Sequence, residues 1–242
     1  TTRHNLAGVL RDLGELEEAR AEFEAILAHR RVTLGGTHRD TLTTRHNLAG
    51  VLRYLGELGQ ARAEFEAILA HRRVILGGTH PDTLAARHNL AGVLHDLGEL
   101  EEARAEFEAI LAHERVTPGD THPETLTTRH NLAGVLRDLG ELGQARAEFE
   151  AILAHRRVIL GDTHPNTLTT RHNLAGVLRD LGELEEARAE FEAILAHRRV
   201  ILGDTHPDTL ATRHNLARTA EGQDGGFRRV GEEFPNPPDV PR

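Results

Sequence analysis

Apolar residues along this chain fall at helical spacing. Leu84, Leu90, Leu94 and Leu97 form one stripe, and after Gly98 a second stripe runs through Leu100, Ala103, Phe107, Ile110 and Leu111. Each stripe covers one side of a helix and leaves the rest polar, so the segment reads as two amphipathic helices. Gly98 predicts the tight turn between them, because glycine takes backbone conformations that other residues resist. The polar side of the second helix, as in Glu101-Glu102-Ala103-Arg104-Ala105-Glu106, reads as a solvated outer face. Between hairpins, Gly77-Gly78-Thr79-His80-Pro81-Asp82 reads as a helix stop, a Thr79 cap with an acidic residue three positions on, and a Pro in the first turn of the next helix.

The pattern repeats every 42 residues: Arg3-His4-Asn5-Leu6-Ala7 returns at Arg45, Arg87, Arg129, Arg171 and Arg213. The array therefore spans residues 1–218, in units 1–42, 43–84, 85–126, 127–168 and 169–210 with a partial unit 211–218. Alternate units carry Glu-Glu (17–18, 101–102, 185–186) or Gly-Gln (59–60, 143–144), which points to duplication of a pair of units. Three breaks in the repetition stand out. Tyr54 replaces the Asp found at 12, 96, 138 and 180, His95 replaces an Arg, and Thr117-Pro118 replaces Ile-Leu, which predicts an earlier end to the second helix of the third unit. Residues 219–242 read as an irregular tail from their Gly and Pro content, with Phe227 and Phe234 as candidates to cover the last repeat.

Aromatic residues are 3% of the chain, and Trp, Met and Cys are absent, which suits a thin core shared between neighbouring hairpins. A net charge of −9 argues against nucleic acid and against an anionic membrane surface as partners. No apolar run reaches the roughly 18 residues that span a bilayer, and no signal segment is present at the start, so a cytoplasmic setting is expected. Every one of the 29 basic residues is Arg, which points to GC-rich codons and a bacterial source. The chain starts mid-pattern without a Met and reads as a fragment of a longer protein.

Seventeen His residues invite a metal site, but they occupy three fixed positions per unit plus His95, without Cys. A repeat spreads such residues along an axis, whereas a metal needs ligands converging on one point. The His-Pro-Asp linker recurs in nearly every unit, which fits a helix start better than an active site. A chain without Lys cannot hold a Gly-rich phosphate loop ending in Lys-Ser or Lys-Thr. The expectation is a non-enzyme with no cofactor and no metal.

The residues Leu6, Ala7, Leu10, Gly14, Leu16, Ala19 and Phe23 closely resemble the consensus of tetratricopeptide repeats, with Arg3 in place of the usual aromatic. The extra length beyond the common repeat lies in the Leu202–Asp208 stretch and resembles the kinesin-light-chain type. The resemblance implies an all-α, right-handed superhelical solenoid of antiparallel helix hairpins, and a protein or peptide ligand bound in a concave groove lined by the first helix of each hairpin. On this chain that face carries Asn5, Asn47, Asn89, Asn131, Asn173 and Asn215, with His46, His88 and His130 beside them. An amide offers both donor and acceptor, so a row of Asn can pair with the backbone of an extended ligand; the alternative is that it ties packed helices together. Arg11, Arg53, Arg137 and Arg179 suit ligand carboxylates or phosphates, or else pair with neighbouring Asp residues. Tyr54 and His95, where the repetition breaks, are candidates for the most specific contact. Gly8, Gly50, Gly92, Gly134 and Gly176 sit mid-helix at a cost of about 1 kcal/mol each relative to Ala. Either a ligand or an adjacent helix approaches closely there. Two further functions stay open: the C-terminal sensor arm of a bacterial nucleotide-switching regulator, and a self-associating structural array.

Overall fold

The computed structural model describes residues 2–230, with side chains as far as Glu221, and contains eleven α-helices and no strand among them. They belong to two compact units, one ending at Leu139 and the other beginning at Gly140. The first holds α1 (Thr2–Asp12), α2 (Leu16–Thr33), α3 (Arg39–Tyr54), α4 (Leu58–Leu76), α5 (Pro81–Asp96), α6 (Leu100–Glu114) and α7 (Pro123–Asp138). The second holds α8 (Leu142–Leu160), α9 (Pro165–Asp180), α10 (Leu184–Leu202) and α11 (Pro207–Val230). Odd-numbered helices are the first, or A, helices of the hairpins, and even-numbered ones are the B helices. In each unit every helix packs on the next in sequence, and successive A helices also touch, as in an all-α repeat solenoid.

Each hairpin closes on small residues. Ala7 and Ala19 are fully buried, and so is Phe23, which fills the space between the helices that the two alanines bring together. The same trio recurs as Ala49, Ala61 and Phe65 and as Ala91, Ala103 and Phe107; in the second unit Ala175, Ala187 and Phe191 repeat it. Val51, Val93, Ile68 and Ile110 complete the core of the first unit, consistent with the stripes read from the sequence. Gly98 takes the turn with φ of +79°, and the chain then reverses through a hydrogen bond from Glu99 N–H to the Leu94 carbonyl.

The helix starts differ from expectation by one residue. The cap is His80, whose Nδ1 accepts the Asp82 backbone N–H at 3.1 Å, with Pro81 at the first helical position. Thr79, expected as the cap, lies outside the helix; the imidazole supplies a short acceptor that serves as a Ser or Asp would. His38, His122, His164 and His206 repeat the arrangement, which accounts for one of the three histidine series.

A buried arginine on each long B helix secures the linker that follows. Arg72, Arg156 and Arg198 are each at most 6% exposed, and their guanidinium groups donate to the carbonyls of Asp82, Asn166 and Asp208. The third hairpin departs from this. There α6 ends at Glu114, before Thr117-Pro118, with Thr117 extended at φ −152° and ψ 109° within a short π-helical turn. Glu114 occupies the arginine's place, and one of its carboxylate oxygens, Oε2, is buried without a hydrogen bond. Burial, more than any neighbour, raises its pKa.

Helix α11 continues past Arg218, where the sequence reading ends the array, to Val230; the prolines that forbid a helix begin only at Pro235. The Phe227 side chain and all of Phe234, the candidate covers for the last repeat, lie outside the described residues.

Candidate binding face on the A helices

The Asn row and the His row meet one repeat apart. Asn47 Nδ2 donates to His4 Nε2 at 3.0 Å, Asn89 to His46 at 2.9 Å and Asn131 to His88 at 2.9 Å. In the second unit Asn215 donates to His172 at 2.9 Å. Asn5 is exposed, and Asn173 and His130 also carry interactions. Each imidazole stands edge-on to the Phe of its own hairpin, with ring centres 5.2 to 5.4 Å apart, as in His46 with Phe65 and His88 with Phe107.

The ring tautomer follows from a neighbour. Thr212 directs its hydroxyl proton to the Asp208 carbonyl at 2.8 Å, so it can only accept from His172 Nδ1, 3.4 Å away. Nδ1 therefore carries the proton, and Nε2 is free to accept the Asn amide. Burial, reinforced by the charge of Arg72, draws His46 down from 6.5 to about 4, and burial followed by Arg53 draws His88 to about 4. Both rings are neutral at pH 7, as the bond from Asn requires. Locked in this way, Asn47, Asn89 and Asn131 have no protein donor on Oδ1 among the described residues, and none of these oxygens is among the buried unpaired atoms. Asn215 differs, since Arg179 donates to its Oδ1 at 3.0 Å.

A second ladder runs along the C-terminal ends of the A helices. Arg53 Nε donates to Asp96 Oδ2 at 2.5 Å, and His95 Nε2 donates to Asp138 Oδ2 at 2.7 Å. Tyr54 removes the matching Asp for Arg11, which turns to its own neighbour Asp12 at 2.8 Å. Tyr54 itself is 70% exposed. Arg179 likewise pairs with its neighbour Asp180, and Arg137 carries interactions of its own. The arginine that replaces the expected aromatic also has a partner: Arg45 binds Glu64 at 2.7 Å and Arg87 binds Glu106 at 2.8 Å, joining the two helices of one hairpin. That pair was not legible from sequence, although its constant 19-residue spacing is a signal that recurs.

Across the outer face, Arg20 joins Glu24 in its own helix and Glu57 of the next hairpin, and Arg62 joins Glu66 and Glu99 in the same way. Among the described residues no group of three or more His, Asp or Glu side chains is placed to hold a metal, and no helix is long and apolar enough to cross a membrane.

Paired helices recurring at a fixed spacing, a small-residue seam and an A-helix face stitched from repeat to repeat define a tetratricopeptide-type solenoid. The sequence matches the tetratricopeptide repeat family over residues 1–73, 40–112, 82–150, 124–189 and 169–228, and the chain belongs to that family. Its type is kinesin-light-chain-like. The structure is similar to a crystal structure of the Podosopora anserina putative kinesin light chain nearly identical TPR-like repeats, with TM-score 0.65 and 27% identity over 83% of this chain and 95% of that one. A single-substitution variant of the same repeats gives TM-score 0.66 at 28% identity, over 83% and 94% of the two chains. BtubC (BKLC) from P. vanneervenii shares the fold alone, with TM-score 0.63 at 18% identity over 96% of both chains. No curated protein sequence matches this chain. Tetratricopeptide repeats mediate protein–protein interaction, and the family is in general non-enzymatic.

Proposed function

We propose that this chain is an interaction scaffold that binds an extended peptide, or an extended segment of a partner protein, along its A-helix face. The observation that carries this reading is the row of Asn47, Asn89 and Asn131. Each amide is fixed by a histidine through Nδ2 and keeps Oδ1 without a protein donor among the described residues. A row of pre-set acceptors, one per repeat, suits the N–H groups of a ligand backbone without regard to side chains, and its rigidity lowers the entropic cost of binding. Tyr54, Arg53, His95 and Arg137 then supply the side-chain preference at the edge of the same face, and Arg179 does so in the second unit.

The test is a peptide selected on the full chain from a random display library and titrated calorimetrically. Changing Asn89 and Asn131 together to Ala should weaken that peptide at least tenfold while the helical circular dichroism stays as it was. An unchanged affinity would return the asparagines to stitching alone.

Self-association is a second reading with an observation of its own. Val32, Val74 and Val116 in the first unit, and Val158 and Val200 in the second, are 82% to 89% exposed at the same place in each hairpin. Repeated exposed apolar residues suit contact with a like surface. A mass that stays monomeric across a dilution series would rule it out.

A further inference from the structure

The mid-helix glycines show what the A-helix face is shaped to receive. At Gly92 the guanidinium of Arg53 lies across the backbone: a Cβ added there would stand 2.8 Å from its Cζ and 2.9 Å from its Nη2. Arg53 is held in that position by Asp96, and Gly92 beneath it is buried. The protein thus contains its own example of a glycine seat filled by a guanidinium and closed by a carboxylate.

The other two seams of the first unit leave the seat open. Apart from the backbone of its own helix and its chain neighbours, no atom of the described residues lies within 4 Å of the Cβ position at Gly50 or at Gly134, and both glycines are only half-buried. The two differ in charge. Beside Gly50, Tyr54 stands where the carboxylate would be, and Arg11 has turned away to Asp12. Beside Gly134, Asp138 is present and its side chain is 51% exposed. His95 satisfies Oδ2 of Asp138 at 2.7 Å but does not reach over the glycine, and Oδ1 has no protein donor among the described residues. The third seam therefore has the seat and the carboxylate but lacks the guanidinium.

We propose that the notch over Gly134, between His95 and Asp138, is a subsite for an arginine side chain of the bound peptide. The occupant's chemistry is copied from the seam before it: a flat guanidinium lies on the glycine backbone and donates to the aspartate, as Arg53 does on Gly92 and Asp96. A lysine ammonium can pair with Asp138 but leaves the flat seat unfilled. The chain's net charge of −9 favours a cationic ligand over an anionic one. The inference rests on the peptide-binding reading above and adds one residue type, at one place, to it.

The experiment uses the full chain labelled with 15N and the capped peptide acetyl-Gly-Gly-Arg-Gly-Gly-amide, beside its lysine and citrulline counterparts. A single side chain should bind with a Kd on the order of millimolar. Saturable shifts are expected at the Gly134 backbone amide and the His95 imidazole, at least fivefold weaker for lysine and absent for citrulline. Gly134→Ala adds a methyl group in open space within a helix, so it should fold at least as well, yet lower the affinity tenfold or more. His95→Arg should abolish the response by supplying the occupant from the chain itself, and Gly8→Ala should leave it intact. Shifts scattered over the acidic B helices that persist in Gly134→Ala, or no saturable response, would overturn the proposal. Shifts confined to the side-chain amides of Asn47, Asn89 and Asn131 would overturn the arginine subsite but leave the peptide-binding face standing.

Discussion

His46 and His88 each do two jobs with one ring: the edge packs on a phenylalanine of the same hairpin, and Nε2 accepts an asparagine from the next. The bond requires a neutral ring, and burial keeps it neutral by drawing both groups from 6.5 to about 4. In the unfolded chain they titrate near 6.5, so below that pH the unfolded state binds more protons than the folded one. This contribution to stability is fully present above pH 6.5 and is lost progressively as pH falls toward 4. We expect roughly 1 to 3 kcal/mol from each ring, read as a fall in urea midpoint between pH 7 and pH 4. His46→Gln with His88→Gln should flatten that part of the profile. The glycines give a second prediction at this scale. Gly50→Ala should stabilise by about 0.5 to 1 kcal/mol, whereas Gly92→Ala should gain less because Arg53 must leave its seat. The residues of this face were legible in the sequence as a periodic set, but their pairing was not. An Asn and a His 43 positions apart meet only because adjacent A helices pack in one register, and that register depends on the three-dimensional seam.

At the level of the helix, the hairpins were legible almost entirely, since the apolar stripes, the turn glycine and the linker proline each have one physical reading. The exceptions were the helix cap, where His80 takes the place expected of Thr79, the buried arginine of the B helices, whose partners are backbone carbonyls in the next linker, and α11, which runs to Val230 although an irregular tail was expected from residue 219. The early end of the third B helix was expected from Thr117-Pro118, and α6 does end at Glu114. The change at Glu114 itself carries a prediction. An arginine at this position in other hairpins donates to a linker carbonyl and a threonine hydroxyl, as Arg198 does to Asp208 and Thr212. Glu114→Arg should therefore replace a buried carboxylate with an unpaired oxygen by a satisfied donor, and raise stability by about 1 to 3 kcal/mol in a denaturant melt. No gain would mean that the short π-helical turn, not the charge, sets the geometry of this linker.

For the molecule as a whole, near-identical hairpins make stability a sum of small units and their interfaces, and repeat the same surface side chains from hairpin to hairpin. The two faces of that array differ in chemistry. The outer B-helix face is covered by Arg–Glu pairs such as Arg62 with Glu66 and Glu99, which satisfy one another and contribute little individually. The A-helix face combines fixed amides, an exposed tyrosine and a glycine notch beside a carboxylate, groups that have acceptors or space left over. Composition and charge excluded much, but the difference between the faces became visible only with side chains placed. Val74→Glu offers a check on the self-association reading: it should shift the mass toward the monomer if the exposed valines form the contact, and change nothing otherwise. Ligand binding along the A helices is tested most directly by recording the side-chain amide resonances of Asn47, Asn89 and Asn131 while a library-selected peptide is titrated into the labelled chain. All three should move together and saturate at one equivalent; shifts confined to the Val74–Leu76 segment or the B-helix glutamates would contradict an A-helix ligand.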